Sequence, residues 1–102
     1  MNLADEVYQA VKRIPTGKVA TYGQIANQFK ISPSLVGQIL HHNPDPKKTA
    51  CHRVVDRNGR IAPNFAFGGA KEQRRRLLAE GVKFKKDKMH VDFSKSLWKK
   101  FV

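Results

Sequence analysis

At 102 residues, 40% hydrophobic and 27% charged, the chain has the size and composition of one soluble globular domain with a modest core. It has no apolar run long enough for a membrane span, and its start, with Asp5 and Glu6, does not read as a secretory signal, so a cytoplasmic or nuclear protein is expected. Twenty Lys and Arg against eight Asp and Glu give a formal net charge of +12, which makes a polyanion, nucleic acid first, the expected partner; the cations are scattered along the chain, which argues against a membrane surface.

Leu3, Val7, Val11 and Ile14 recur at helical spacing, predicting a first helix over residues 3–14, with Asp5 and Glu6 in the first turn, where the helix dipole favours them. Pro15-Thr16-Gly17 ends it, and Val19-Ala20 forms a short extended link. Thr21, with Gln24 three residues on, makes a capping box for a second helix over 22–29. Ser32 caps a third, with Pro33 in its first position, running to about His42. Leu35, Val36, Ile39 and Leu40 form its apolar face, and Ser34, Gln38 and His41 project from the other side. Gly37 costs about 1 kcal/mol inside a helix, so close backbone packing is expected there.

After Asn43-Pro44-Asp45-Pro46, residues 52–62 read as strand, Asn58-Gly59 turn, strand. Residues 63–69 are a loop. Residues 70–80 form a basic helix with Leu77 and Leu78 inward and Gly81 as its stop. A second small hairpin turns around Lys86-Asp87, and Trp98 and Phe101 pack the C-terminus down. The expected fold is mainly α with small β-hairpins, a winged helix-turn-helix, as a single domain over 1–102.

One cysteine excludes an internal disulfide, and the four histidines lack metal-ligand spacing with it. Cys51 is therefore either a small buried hydrophobe or a nucleophile. A thiol reacts as thiolate and needs a base or a positive field nearby; His52 is adjacent, and Glu80, ending a helix that must fold back, is the candidate to orient it. On an extended strand, Cys51 and His52 would point to opposite faces, so a bridging water or a kink would have to connect them.

Ala50-Cys51-His52-Arg53-Val54-Val55 resembles the active-site motif of the O6-alkylguanine-DNA alkyltransferases, Pro-Cys-His-Arg-Val followed by Val or Ile. Residues 14–26, Ile-Pro-Thr-Gly-Lys-Val-Ala-Thr-Tyr-Gly-Gln-Ile-Ala, are similar to that family's entry into its helix-turn-helix. Val36-Gly37, Asn43-Pro44, Gly68-Gly69 and Glu80-Gly81 extend the match to roughly residues 5–82. The resemblance implies that Cys51 accepts an alkyl group from O6 of a flipped guanine, once per molecule. It makes His52, through a water, the acceptor of the thiol proton, Glu80 the residue that fixes the His52 tautomer, and Tyr22 the donor to the departing base. It makes Thr21, Tyr22, Ser34, Gln38, Asn43 and Arg53 the DNA-binding residues, with Asn43 also bracing the turn after the recognition helix. Val54, Ile61, Phe65 and Ala66 form the substrate pocket, with backbone carbonyls at Cys51 and Val54 accepting from the guanine amine. The implied partner is double-stranded DNA containing O6-alkylguanine, approached from the minor groove by a monomer. Displacement at an alkyl carbon needs a soft thiolate and a proton for the leaving base, with neither metal nor organic cofactor.

Four departures stand out. Where the family has an arginine that fills the gap left by the flipped base, this chain has Ser34, and no arginine lies between residues 14 and 52. Ala50 replaces the motif proline, and Phe65 and Phe67 stand where the family commonly has a serine donor to O6. The family's separate N-terminal domain has no counterpart, as in the alkyltransferase-like proteins, which bind alkylated DNA and usually carry Trp in place of the cysteine. Two rivals to alkyl transfer follow: a sensor of alkylated DNA that recruits another repair pathway, and a transcription regulator using the same helix-turn-helix. The second leaves the Cys-His-Arg motif unexplained.

Overall fold

The computed structural model describes residues 2–63 and 65–100. Helix α1 spans Leu3–Lys12; Asn2 caps it by accepting the Asp5 amide at 2.9 Å, and Val7, Ala10 and Val11 turn inward. The helix stops two residues short of expectation, yet Ile14 beyond it is still buried. In the Pro15-Thr16-Gly17 turn, Gly17 has φ +88°, and a Cβ there would come within 3.2 Å of the Glu80 carbonyl oxygen, so glycine lets this turn lie against the end of α4 (Gly69–Ala79).

Strand β1 (Ala20–Thr21) leads into α2 (Tyr22–Phe29). The capping box forms as expected: Thr21 Oγ1 accepts from the Gln24 amide at 3.0 Å, and Gln24 Oε1 accepts from the Thr21 amide at 2.7 Å. Lys30, at φ 54°, turns the chain in the left-handed conformation, and Ser32 caps α3 (Pro33–His41) by accepting from the Leu35 amide at 3.1 Å. Helices α2 and α3 are the helix-turn-helix, and α1 packs across both.

Residues 51–53 form one turn of 3-10 helix, and β2 (Val54–Val55) follows, paired in parallel with β1, Ala20 opposite Val54 and Thr21 opposite Val55. The hairpin expected over 52–62 is therefore rearranged. Val54 and Val55 are both fully buried and join β1 in the interior, while Asp56 Oδ1 accepts the Asn58 and Arg60 amides at 2.8 and 2.9 Å, turning the chain through a side-chain bond. Residues 59–61 then pair with 89–91: Val91 donates to the Gly59 carbonyl at 2.8 Å and Ile61 to that of Met89 at 3.1 Å. The hairpin expected around Lys86-Asp87 is present, closed by bonds from Lys85 to His90 and from Asp92 to Lys83.

Two apolar clusters result. Val7, Val11, Ile25, Val36 and Val54 centre the first, among α1, α2 and α3; Val19, Val55, Ile61, Leu77, Val82 and Val91 form the second, beneath α4 and the hairpin. Neighbouring strand residues point to opposite faces, so β2 supplies Val54 to one cluster and Val55 to the other. Helix α4 turns Gln73 and Leu77 inward, but Leu78, expected beside Leu77, is 54% exposed. One residue is about 100° of helix, enough to carry it out of the buried stripe. Helix α5 (Phe93–Ser96), absent from the sequence expectation, is capped by Asp92. Trp98 packs the C-terminus down as expected, donating its amide to the Val19 carbonyl at 2.8 Å with the Arg13 guanidinium over its ring; Phe101 lies outside the described residues. Among the described residues, no helix is long and apolar enough to cross a membrane.

Candidate active site

Cys51 borders a pocket of about 290 Å³. Tyr22 from α2, Gly37, Leu40 and His41 from α3, and the 62–67 loop through Ala62, Pro63, Phe65, Ala66 and Phe67 complete its lining. Gly37 belongs to that wall. A Cβ there would meet nothing within 4 Å, so the close packing expected at this glycine does not occur. Phe65 and Phe67 meet edge to face, ring centroids 5.6 Å apart. Phe65 and Ala66 line the pocket as the sequence reading had them. Val54 and Ile61 do not: their side chains are fully buried in the two cores, and the Val54 carbonyl already accepts from Gln73.

The 3-10 turn places Cys51 and His52 on one compact bend in place of opposite faces of a strand. Cys51 is only 6% exposed. Burial pushes its thiol up from the ordinary value; a hydrogen bond from Asn43 and the positive charge of Arg76 pull back against it without winning, so the resting group is a neutral thiol. Burial likewise holds the His52 imidazole below its ordinary value, against the opposing hydrogen bond and charge of Glu80. His52 Nε2 lies 2.9 Å from Glu80 Oε2, and Nδ1, buried, makes no hydrogen bond among the described residues. Burial raises the Glu80 carboxyl, but hydrogen bonds from Arg53 and His52 outweigh it and keep the group below its ordinary value. Tyr22, half-buried in the pocket wall, has its phenol raised by burial, then by Cys51 in its ionised form and by the negative charge of Asp56.

Arg53 corrects an expectation. Its guanidinium bonds both Glu80 oxygens, at 2.9 and 2.8 Å, the Ile14 carbonyl at 2.9 Å and Thr16 Oγ1 at 3.0 Å. It is a clamp joining the turn after α1, the cysteine turn and the end of α4, and it is not a cation free for DNA. Asn43, also expected among the DNA-binding residues, is 5% exposed. Its Nδ2 donates to the Thr49 carbonyl at 2.8 Å and its Oδ1 accepts from the Asp45 amide at 3.0 Å, which is the bracing also expected of it. Thr21 spends its hydroxyl on the α2 cap. Ser34 and Gln38 stand exposed on α3.

Three residues of the site were missed by sequence reasoning. Gln73, fully buried, donates to the His52 and Val54 carbonyls at 3.1 Å each and accepts from the Ala62 amide at 2.7 Å, holding the cysteine turn against the pocket loop. Its place one turn before Leu77, on the inward stripe of α4, was the available signal. Arg76 sits over the Phe65 ring at 5.5 Å and bonds Glu72 at 3.1 Å. His41 is exposed, on the polar side of α3 as expected, and it also borders the pocket. Among the described residues, no group of three or more His, Cys, Asp or Glu is placed to hold a metal ion.

Helix α3 is at once the second helix of a helix-turn-helix and one wall of the thiol pocket, and that shared wall defines the class: a helix-turn-helix domain with a buried cysteine beside its second helix. The sequence profile of the 6-O-methylguanine DNA methyltransferase DNA-binding domain matches residues 2–82. The chain belongs to this family. A methylated-DNA–protein-cysteine methyltransferase of Saccharolobus islandicus is 44% identical over 77 residues, 76% of this chain and 49% of that protein, so the chain spans about half the length of this relative. Alkyltransferase-like protein 1 of Schizosaccharomyces pombe is 40% identical over 80 residues, 76% of this chain and 73% of the relative. The crystal structure of S. pombe Atl1 in complex with damaged DNA containing O6-carboxymethylguanine superposes with a TM-score of 0.80 at 31% identity, covering 97% of this chain and 99% of that one.

Proposed function

We propose that the protein binds double-stranded DNA through α3 from the minor groove, receives a flipped O6-alkylguanine in the pocket, and transfers the alkyl group to Cys51. The observation that carries this reading is the placement of Cys51 in a pocket shared with Tyr22 and α3, on the same turn as a histidine held by Glu80. The thiol proton leaves Sγ for Nδ1 of His52, by way of a water. Sγ then bonds to the alkyl carbon as the carbon–O6 bond breaks, and the bonding pair goes to the purine. Tyr22 protonates the departing base and is reprotonated at the expense of the imidazolium. The products are guanine and S-alkylcysteine. The thioether has no ready route back, so each molecule acts once. A base inside a duplex cannot reach Cys51, so extrusion precedes chemistry.

Intact mass after incubation with O6-methylguanine duplex tests this. One methyl group gained per molecule, and none by Cys51→Ser with damaged-DNA binding retained, is the expected result. A second reading, recognition of alkylated DNA without transfer, is favoured by the near full-length likeness to the Atl1–DNA complex. An unchanged mass in folded, DNA-bound protein selects it.

A further inference from the structure

The flank of α4 opposite the thiol pocket carries a second concavity that the transfer reaction does not use. It has a volume of about 580 Å³ and lies between Arg74, Leu78 and the start of the 82–91 hairpin. Successive helix residues turn by about 100°, so Arg74 and Leu78, each two positions from Arg76, sit about 160° around α4 from the flank that meets Phe65. A duplex seated on α3 and the pocket is therefore on the other side of this helix.

The lining has two components. Arg74, Lys83, Lys85, Lys86 and Lys88 are its cations, and no lining residue is acidic. Of the nearby carboxylates, Asp87 accepts the Met89 and His90 amides and bonds the His90 ring, Glu72 holds Arg75 and Arg76, and Asp92 accepts from the Ser94 amide and hydroxyl while its charge reaches Lys85 without forming an ion pair. None of the four lysines forms an ion pair among the described residues. The floor is apolar. Leu78, Val82 and Phe84 form it, and Leu78 is the one large apolar residue among those described that remains open to solvent. Arg74 donates to the Lys88 carbonyl at 3.4 Å, tying helix to hairpin along one side.

We propose that this groove docks an acidic peptide segment of a protein partner, its carboxylates meeting the lysines and an apolar side chain seated on Leu78 and Phe84. Charge complementarity selects an anion, and the exposed apolar floor selects a peptide over a phosphate backbone, which has no apolar group to offer Leu78. The site is independent of whether Cys51 transfers an alkyl group.

The test uses the full chain and a short fluorescein-labelled peptide of Asp and Glu flanking a central Leu-Phe pair, read by anisotropy at fixed salt. Saturable binding is expected, retained when the protein is already bound to O6-methylguanine duplex. Leu78→Asp and Lys85→Glu, both at exposed positions, should each weaken it about tenfold with little change in duplex affinity. A peptide with alanines in place of Leu-Phe should lose about as much as Leu78→Asp causes. Melting temperature confirms that the variants are folded. No binding by the Leu-Phe peptide, indifference to both variants, or equal binding of the alanine peptide overturns the proposal. Equal loss of duplex and peptide affinity in the two variants also overturns it, reassigning the groove to nucleic acid.

Discussion

Glu80 holds His52 by its Nε2 nitrogen, at 2.9 Å. An ionised carboxylate can only accept, so in the neutral ring the hydrogen sits on Nε2 and Nδ1 keeps the free lone pair. That nitrogen is buried and makes no hydrogen bond among the described residues. The pair thus fixes which nitrogen of the neutral imidazole keeps its lone pair.

Acid should silence the site late. His52 sits below its ordinary value of 6.5, so the transfer rate is expected to fall only at a pH below that value. Stability follows with the same sign. The unfolded histidine protonates near 6.5, so its contribution is present above that pH and is lost as pH falls through the lower folded value. Glu80 behaves likewise below 4.5, and Cys51, raised from 9.0, loses its contribution as pH rises through the folded value. Single-turnover rates and melting temperatures across pH check both; a rate midpoint above 6.5 contradicts the burial argument.

Arg53→Met should destabilise the fold by about 2–3 kcal/mol, because it strips Glu80 of its cation and frees the Ile14 carbonyl. The slope of DNA affinity against salt should stay the same, since a clamp contributes no phosphate contact. Urea unfolding and a salt titration separate the roles. An intact stability with a shallower slope would return Arg53 to the DNA.

Arg76→Leu removes a positive charge that pulls the Cys51 thiol down and the His52 ring down. Both values should rise, and alkylation of Cys51 by iodoacetamide should shift to higher pH. A pH profile of that reaction, with mass detection, gives the answer. An unmoved profile would leave Arg76 only its packing against Phe65.

Ser34 is exposed on α3 and too short to fill the hole left by an extruded base. Unstacking costs a few kcal/mol. Recovering about 1.4 kcal/mol of it would speed the reaction about tenfold. Ser34→Arg should therefore accelerate transfer from duplex more than from single-stranded DNA. Paired kinetics on the two substrates decide this; no difference between them assigns the gap to another side chain.

The elements easiest to read were those with local chemistry. Thr21 with Gln24, Ser32 with Pro33, and the first-turn acids of α1 are short-range signals, and each sits where the sequence places it. Cys51, His52 and Glu80 were legible as a set through the motif; the structure joins His52 to Glu80 and puts Cys51 and His52 on one 3-10 bend, which alternating residues do not announce. Arg53 was placed on the DNA by the resemblance; its four acceptors, two on Glu80 and one each on Ile14 and Thr16, come together only in the fold. Val54 and Ile61 were assigned to the pocket by the resemblance; the parallel pairing with β1 carries Val54 inward, and the pairing with Met89 carries Ile61 into the second core. Leu78 and Gly37 show the limit of composition: one apolar residue stays in solvent, and one glycine has open space where tight packing was expected.

The short β1–β2 pairing has a consequence for the order of assembly. Helices α1, α2 and α3 are neighbours in sequence and meet through local contacts, which close quickly. Ala20 and Val54 are distant along the chain, and their parallel alignment must wait for a long loop to close. The cysteine turn runs straight into β2, whose two valines need one cluster each. During synthesis, the N-terminal half emerges first. A nascent chain is thus expected to possess its helix-turn-helix before its thiol has a pocket, so reactivity matures only when the second half has docked.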